Sequence, residues 1–386
     1  MREVAIVGAG QVPVGEHWGK SLRDLAGDAI LAAMTDAGVD KVDALYVGNM
    51  LSGNVNKQQA LGSLIADWIG LHNVEAVKIE AACGSGASAV RAGFSAVASG
   101  LMDTVIVVGV EKMSDAVGDD VTAALAAAAD ADYEAALGMS FVAINALLMQ
   151  RYMHEFGWQH TDFAPFAINA HANACHNRFA RLRHTVNEQD YRRARMVADP
   201  INLLDASPTG DGAAAVVLVA PESADRRRSK KPSVIIAASV SATDSIAIHD
   251  RHAPMMLTAA HLSAMKAYQQ AGLGPPEIDL FELHDAFSIM AAMSLEAAGF
   301  TQRGQGPRLA LDGEIGPKGK VPIATMGGLK ARGHPVGATG VYQIVEVYRQ
   351  LIGDAGEAQV PAAKVGMAQN IGGSGSNVTT HILRAN

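Results

Sequence analysis

Short apolar runs alternate with longer, alanine-rich amphipathic stretches along nearly the whole chain, and that rhythm predicts strands alternating with helices. Residues 4–7 read as a first strand, 29–38 as a helix closed by glycine, and 40–48 as a turn leading into a second strand. The apolar run 76–79 ends at the glycine-rich stretch Cys83-Gly84-Ser85-Gly86. A helix then runs to about Gly100, and residues 104–110 form the next strand. Strands and helices of these lengths in succession indicate βαβ units.

The same rhythm occurs twice. Residues 234–237 read as a strand, 262–272 as a helix and 276–284 as a turn and strand, repeating the early order with two extra loop residues. Gly333-His334-Pro335-Val336-Gly337 opens a helix through Leu351, and 363–368 is a strand, as the cysteine turn, its helix and 104–110 are in the first half. Internal duplication of this kind makes a layered α/β/α/β/α body the expected fold, with chemistry at its pseudo-symmetric centre. Residues 1–113 and 205–225 would form the first half and 232–386 the second. The divergent stretch 114–204, rich in His, Arg and Tyr, has no counterpart and reads as an inserted lid or loop domain.

Composition narrows the class. The 386 residues, 49% hydrophobic and 18% charged, describe a folded chain with an ample core. A net charge of −8 argues against a nucleic-acid partner. The dense basic cluster Arg226-Arg227-Arg228-Ser229-Lys230-Lys231 lies between apolar segments and reads as a solvated linker. Two cysteines in this length fit a reducing cytosol. A strand directly after Met1 leaves no room for a signal peptide, and Asp130, Asp132 and Glu134 interrupt the most apolar stretch, 122–148. The expectation is a cytoplasmic protein that does not enter a membrane. No Cys/His cluster has metal-ligand spacing. Gly8-Ala9-Gly10 follows the first strand, but Pro13 occupies the third glycine position of a dinucleotide fingerprint, so a tight turn is the better reading.

The candidate nucleophile is Cys83. It lies between an apolar strand and a helix start, where exposed N–H groups and the helix dipole are expected to lower its pKa and cradle an oxyanion. Cysteine chemistry needs a base and oxyanion donors, and the second half supplies three polar positions at strand ends or helix starts. They are His284 in Leu283-His284-Asp285-Ala286-Phe287, His334 in Gly333-His334-Pro335, and Asn370 in Asn370-Ile371-Gly372-Gly373. Ten further histidines lack motif context and read as structural, and His252 is unplaced.

These motifs, in this order, resemble the active-site motifs of the thiolase superfamily, and Asp205-Ala-Ser-Pro-Thr-Gly-Asp211 is similar to the segment returning from the thiolase loop domain to the core. The resemblance covers essentially the whole chain. It is closest to the branch holding archaeal acetoacetyl-CoA thiolases and sterol-carrier-type thiolases, with His-Asp where the commoner thiolases have Asn-Glu. It implies an acyltransferase acting on coenzyme A thioesters, with no further cofactor. Cys83 would carry the acyl group and His334 would activate the thiol and help hold the thioester oxygen. The N–H groups of Cys83 and Gly372 would form the other oxyanion site. The second cysteine of the commoner thiolases is replaced by Asn370, and an amide is not a base. His284, or water it orders, is therefore expected to handle the α-carbon proton, although it could also donate to an oxyanion.

Met139 and Phe141, in a segment resembling the loop over the pantetheine tunnel, are candidate substrate-binding wall residues. None of Arg178, Arg181, Arg183, Arg192, Arg193 and Arg195 is assigned to the CoA phosphates. Cys175 reads as a small packed side chain. The resemblance further implies a homodimer or dimer of dimers and, for this branch, a small zinc-ribbon/OB-fold partner. Two alternatives stay open: a thiolase-like condensing acyltransferase using another carbon acceptor, and a non-catalytic acyl-CoA or lipid carrier.

Overall fold

The structure, a computed structural model, describes residues 2–224 and 231–386. The basic cluster at 226–230 lies outside the described residues. Its last member, Lys231, pairs with Asp36.

The first half runs β1 (Ala5–Gln11), α1 (Leu22–Ala37), β2 (Ala44–Gly48), α2 (Leu61–Trp68), β3 (Glu75–Ile79), α3 (Ser85–Ala98) and β4 (Thr104–Glu111). The segment after it holds α4 (Gly118–Ala126), α5 (Phe141–Phe156), α6 (Ala164–Ala174), α7 (Glu188–Arg193) and the small hairpin β5 (Met196–Ala198) and β6 (Ile201–Asn202). The chain returns through β7 (Gly212–Val219) and α8 (Pro221–Ala224). The second half is β8 (Val234–Thr243), α9 (Thr258–Ala271), β9 (Leu280–Glu282), α10 (Ser288–Ala297), α11 (Gly306–Leu311), α12 (Thr339–Leu351), β10 (Val365–Gly372) and β11 (Asn377–Ala385). The helix ends follow local rules. Ser21 and Asp24 close a capping box on α1, and α1 and α9 both stop at a left-handed glycine, Gly38 and Gly272.

Strand order is β3-β2-β4-β7-β1-β8-β11-β10-β9. Read outward from the β1/β8 junction, the two halves carry the same pattern. β7 and β11 pair antiparallel to their neighbours on both sides, whereas β2–β4 and β9–β10 are parallel. The repeat is imperfect at the outer edge: the counterpart of β3 is reduced to a single bridge, Phe281 with Ile323. The half-sheets join at Ala5 with Ile235 and Ile6 with Val234, and the Ile236 N–H bonds to the Val4 carbonyl at 2.9 Å.

Five layers follow from the side chains. One face of the first half-sheet (Val7, Leu45, Val47, Ile106, Val108) packs on α1 and α2. Its other face (Ile6, Tyr46, Val105, Val107, Leu218) and the inner face of the second half-sheet (Ile236, Leu280, Leu383) together enclose α3 and α12. The outer face of the second half-sheet (Phe281, Met367, Ile382) packs on α9, α10 and helices of the inserted segment. Strands covered on both faces read as continuous apolar runs.

The starts of α3 and α12 touch backbone to backbone. A Cβ on Gly340 would lie 2.2 Å from the Ala87 nitrogen, and one on Gly86 would lie 2.9 Å from the Gly337 oxygen. This close approach brings the cysteine turn of one half against the His334 turn of the other. Among the described residues no helix is long and apolar enough to cross a membrane.

Candidate active site

A cavity of about 200 Å³ opens where the two halves and the inserted segment meet; Cys83, His284, His334, Phe141, Phe287 and Gly373 are among the residues lining it. Each polar group is held there by a distinct local device.

Cys83 follows Ala82, whose φ of 52° puts a sharp kink between β3 and α3. Ser85 Oγ locks the kink, accepting from the Ala81 N–H at 2.9 Å and donating to the Ala82 carbonyl at 2.6 Å. Cys83 is 9% exposed and belongs to an apolar cluster with Leu51, Met113, Val121 and Val336. The expected low thiol pKa is overturned. Burial, and next the charge of Glu111, push it up to about 12. The N–H groups of Cys83 itself and Gly373 act in the opposite direction and offset only part of this. Helix-start donors are present, but the apolar packing outweighs them.

The N–H of Gly373, next to the Gly372 named by the motif, is one of the backbone donors acting on the sulfur. Gly372 ends β10, and the space beside its Cα is filled by the Ala81 carbonyl, 2.4 Å from where a Cβ would lie. Gly373, at φ 57°, turns the chain toward the cavity.

His284 follows β9 and is almost fully buried. Its Nδ1 faces two N–H donors, the Asn370 side-chain amide at 3.2 Å and the Ile371 backbone at 3.3 Å. A backbone N–H can only donate, so Nδ1 is the acceptor and the ring proton sits on Nε2. Asn370 is held in the matching orientation because its Oδ1 accepts from the Ala87 N–H at 3.4 Å. Asn370 thus does not line the cavity; it lies behind His284 and fixes its tautomer. Burial, and next the Arg332 cation, push the His284 pKa down to about 3.

His334 is set the other way round. Its backbone N–H bonds to the Pro208 carbonyl at 3.1 Å, and its Nδ1 lies 2.7 Å from Thr339 Oγ1. The Thr339 hydroxyl donates to the Pro335 carbonyl at 3.1 Å, so it accepts from Nδ1–H and leaves a lone pair on Nε2. Burial, then His284 and Arg332, hold His334 well below 6.5. The rings meet edge to face with centroids 5.2 Å apart. The resting site is therefore a cavity lined by a neutral thiol and two neutral imidazoles.

Behind it lies a buried charge layer that the motifs did not reveal. Arg332 pairs with Glu346 at 2.8 Å, both fully buried. Glu111 accepts from Asn49 Nδ2 and from the N–H groups of Met50, Leu51 and Gly337, tying the end of β4 to the His334 turn. Burial raises its carboxyl to about 7 against the pull of these donors. The one sequence signal for Glu111 was an acid closing an otherwise apolar strand; Thr339 could have been found inside the Gly-His-Pro motif.

Of the two wall candidates, Phe141 lines the cavity, whereas Met139 is not among the lining residues and bonds through its N–H to the Glu134 carbonyl. Cys175 closes α6 with its thiol on the His171 carbonyl, away from the cavity.

Comparisons with known proteins agree over the full length. The family profile "Thiolase, N-terminal domain" matches residues 4–222, and "Thiolase C-terminal domain-like" matches 240–385. The acetyl-CoA acetyltransferase of Methanothermobacter thermautotrophicus is 44% identical over 385 residues, covering 99% of this chain and 100% of that protein. The acetyl-CoA acetyltransferase of Methanocaldococcus jannaschii is 39% identical over 390 residues, 99% of each. Among solved structures, an Ltp2-ChsH2(DUF35) aldolase superposes with a TM-score of 0.87 at 24% identity, covering 99% of this chain and 98% of that one, a likeness of fold.

Proposed function

This chain belongs to the thiolase family and is an acyltransferase, and we propose that it transfers acetyl groups between coenzyme A thioesters, forming or cleaving acetoacetyl-CoA through an acetyl-Cys83 intermediate. The observation that carries this reading is a cavity lined together by one thiol, one imidazole with a free lone pair and another with a free N–H.

Because the thiol rests protonated, the thiolate forms only as it attacks. Cys83 Sγ adds to the thioester carbonyl while its proton passes to His334 Nε2. The N–H groups of Cys83 and Gly373, which act on the sulfur, would serve as donors to the developing oxyanion of the acylated cysteine. When the tetrahedral adduct collapses, the CoA sulfur leaves and takes the proton from His334, restoring a neutral imidazole. The largely apolar lining, with Phe141 and Phe287, keeps water from competing for the acyl group.

The names of the two archaeal relatives support acetyl-CoA as the substrate. A second copy of the chain as a partner is supported by β3, an edge strand with Val77 41% exposed. The DUF35 component named in the neighbouring structure supports a small accessory protein. The test is mass spectrometry of Cys83 peptides after acetyl-CoA, followed by a cleavage assay with acetoacetyl-CoA and CoA. An acetyl group on Cys83 with CoA-dependent cleavage is expected. An unmodified Cys83 would favour a carrier, and acetylation without cleavage a different carbon acceptor.

A further inference from the structure

Carbon–carbon bond formation needs a base for the α-proton of the second thioester, and the cavity offers few. Among its lining residues there is no carboxylate or amine, and the titratable groups are Cys83, His284 and His334. Cys83 is occupied by the acyl group in this step. His284 has its Nδ1 lone pair committed to two N–H donors and already carries its proton on Nε2. To act as a base it would have to become a cation with Nδ1–H pointed at the Ile371 N–H, a donor facing a donor in a buried site.

We propose that His334 Nε2 is the single proton carrier of the complete cycle, serving both the Cys83 thiol and the α-carbon, while His284 Nε2–H is a fixed donor to the thioester oxygen of the second substrate. The inference rests on the acyl-Cys83 reading and deepens it.

The steps balance. After acylation His334 is neutral, its first proton having left on CoA. Its Nε2 lone pair takes the α-proton, and the C–H electrons form the enolate, whose oxygen accepts from His284 Nε2–H. The enolate carbon attacks the acetyl-Cys83 carbonyl, the new C–C bond forms, and collapse breaks the C–S bond. The departing Cys83 sulfur takes the proton back from His334. The cycle ends with the neutral thiol and neutral imidazole from which it began, which fits a site built to hold all three groups uncharged.

The experiment uses full-length protein in a Cys83→Ala background, where acyl transfer is impossible, and follows exchange of acetyl-CoA α-protons in deuterium oxide by mass spectrometry. Added His284→Gln keeps an N–H donor and has no basic nitrogen, so exchange is expected to fall by no more than about tenfold. Added His334→Gln should lower it by about 100-fold or more, the scale of a lost general base. Equal losses in both, or exchange surviving His334→Gln, would overturn the proposal.

Asn370→Asp asks the same question without altering either imidazole. A carboxylate behind His284 would draw the proton to Nδ1 and free the Nε2 lone pair. Exchange should then drop about 100-fold, as for a lost oxyanion donor; unchanged or faster exchange would make His284 the base. An unmodified Cys83 in the otherwise native chain would instead sink the acyl-enzyme reading, separately from these outcomes.

Discussion

The turn after β9 and the turn before α12 each deliver one imidazole to the same cavity, yet they prepare those rings for opposite tasks. Behind His284 stand two N–H donors, from Asn370 and Ile371; behind His334 stands a hydroxyl oxygen whose own proton is spent on Pro335. Burial discharges both rings. The groups behind them then decide which one presents a lone pair and which one a proton. Side-chain identity alone does not assign a histidine's role; its partner at the far nitrogen does.

Removing the lone pair should produce the largest effect. His334→Ala is expected to reduce acetoacetyl-CoA cleavage by about 1,000-fold or more, measured as kcat with saturating CoA, with Cys83 no longer acetylated. A loss below about tenfold would place the base elsewhere.

Thr339→Val sharpens the contrast by removing only the acceptor behind His334. A buried imidazole N–H left without a partner costs about 1–3 kcal/mol. Turnover should therefore fall about 10- to 100-fold while KM changes little. Thr339→Ser, which keeps the oxygen, should recover most of it. Loss of activity in both variants would mark the threonine as a packing residue.

The pH profile tests the shared half of the comparison. The neutral form of His334 takes the proton, and a pKa held well below 6.5 keeps the ring neutral to lower pH than an ordinary histidine. Between about pH 5 and 8, kcat/KM should show no acid limb centred near 6.5, the ordinary histidine value. A limb centred there would mean that burial does not discharge the base. The smallest effect belongs to Cys175, which bonds to a backbone carbonyl outside the cavity. Cys175→Ala should leave turnover within about twofold and acetylation confined to Cys83.

Much of the architecture was legible because it rests on periodicity. The βαβ rhythm, its recurrence and the glycine stops at Gly38 and Gly272 are local signals, and the structure carries them as α1, α9 and their strands. The near-disappearance of a β3 counterpart was not legible, since a strand reduced to one bridge at Ile323 leaves no pattern of its own. In the site, Cys83, His284 and His334 stood out by glycine context and converge on one cavity.

What failed at the site was everything set by distant neighbours. The helix start promised an acidic thiol, but Leu51, Met113 and Val336 come from other segments and bury it, and Glu111 arrives from the end of β4. Met139 was assigned to the wall and Asn370 to the polar groups of the site by motif position, while side-chain direction, which no motif records, turns Asn370 toward His284.

The most direct test is nitrogen-15 NMR of histidine-labelled protein at neutral pH, with the two signals assigned by their loss in His284→Gln and His334→Gln. The account predicts a protonated Nε2 on His284 and a protonated Nδ1 on His334, neither ring charged. The same tautomer on both rings, or a proton on both nitrogens of either, would contradict it.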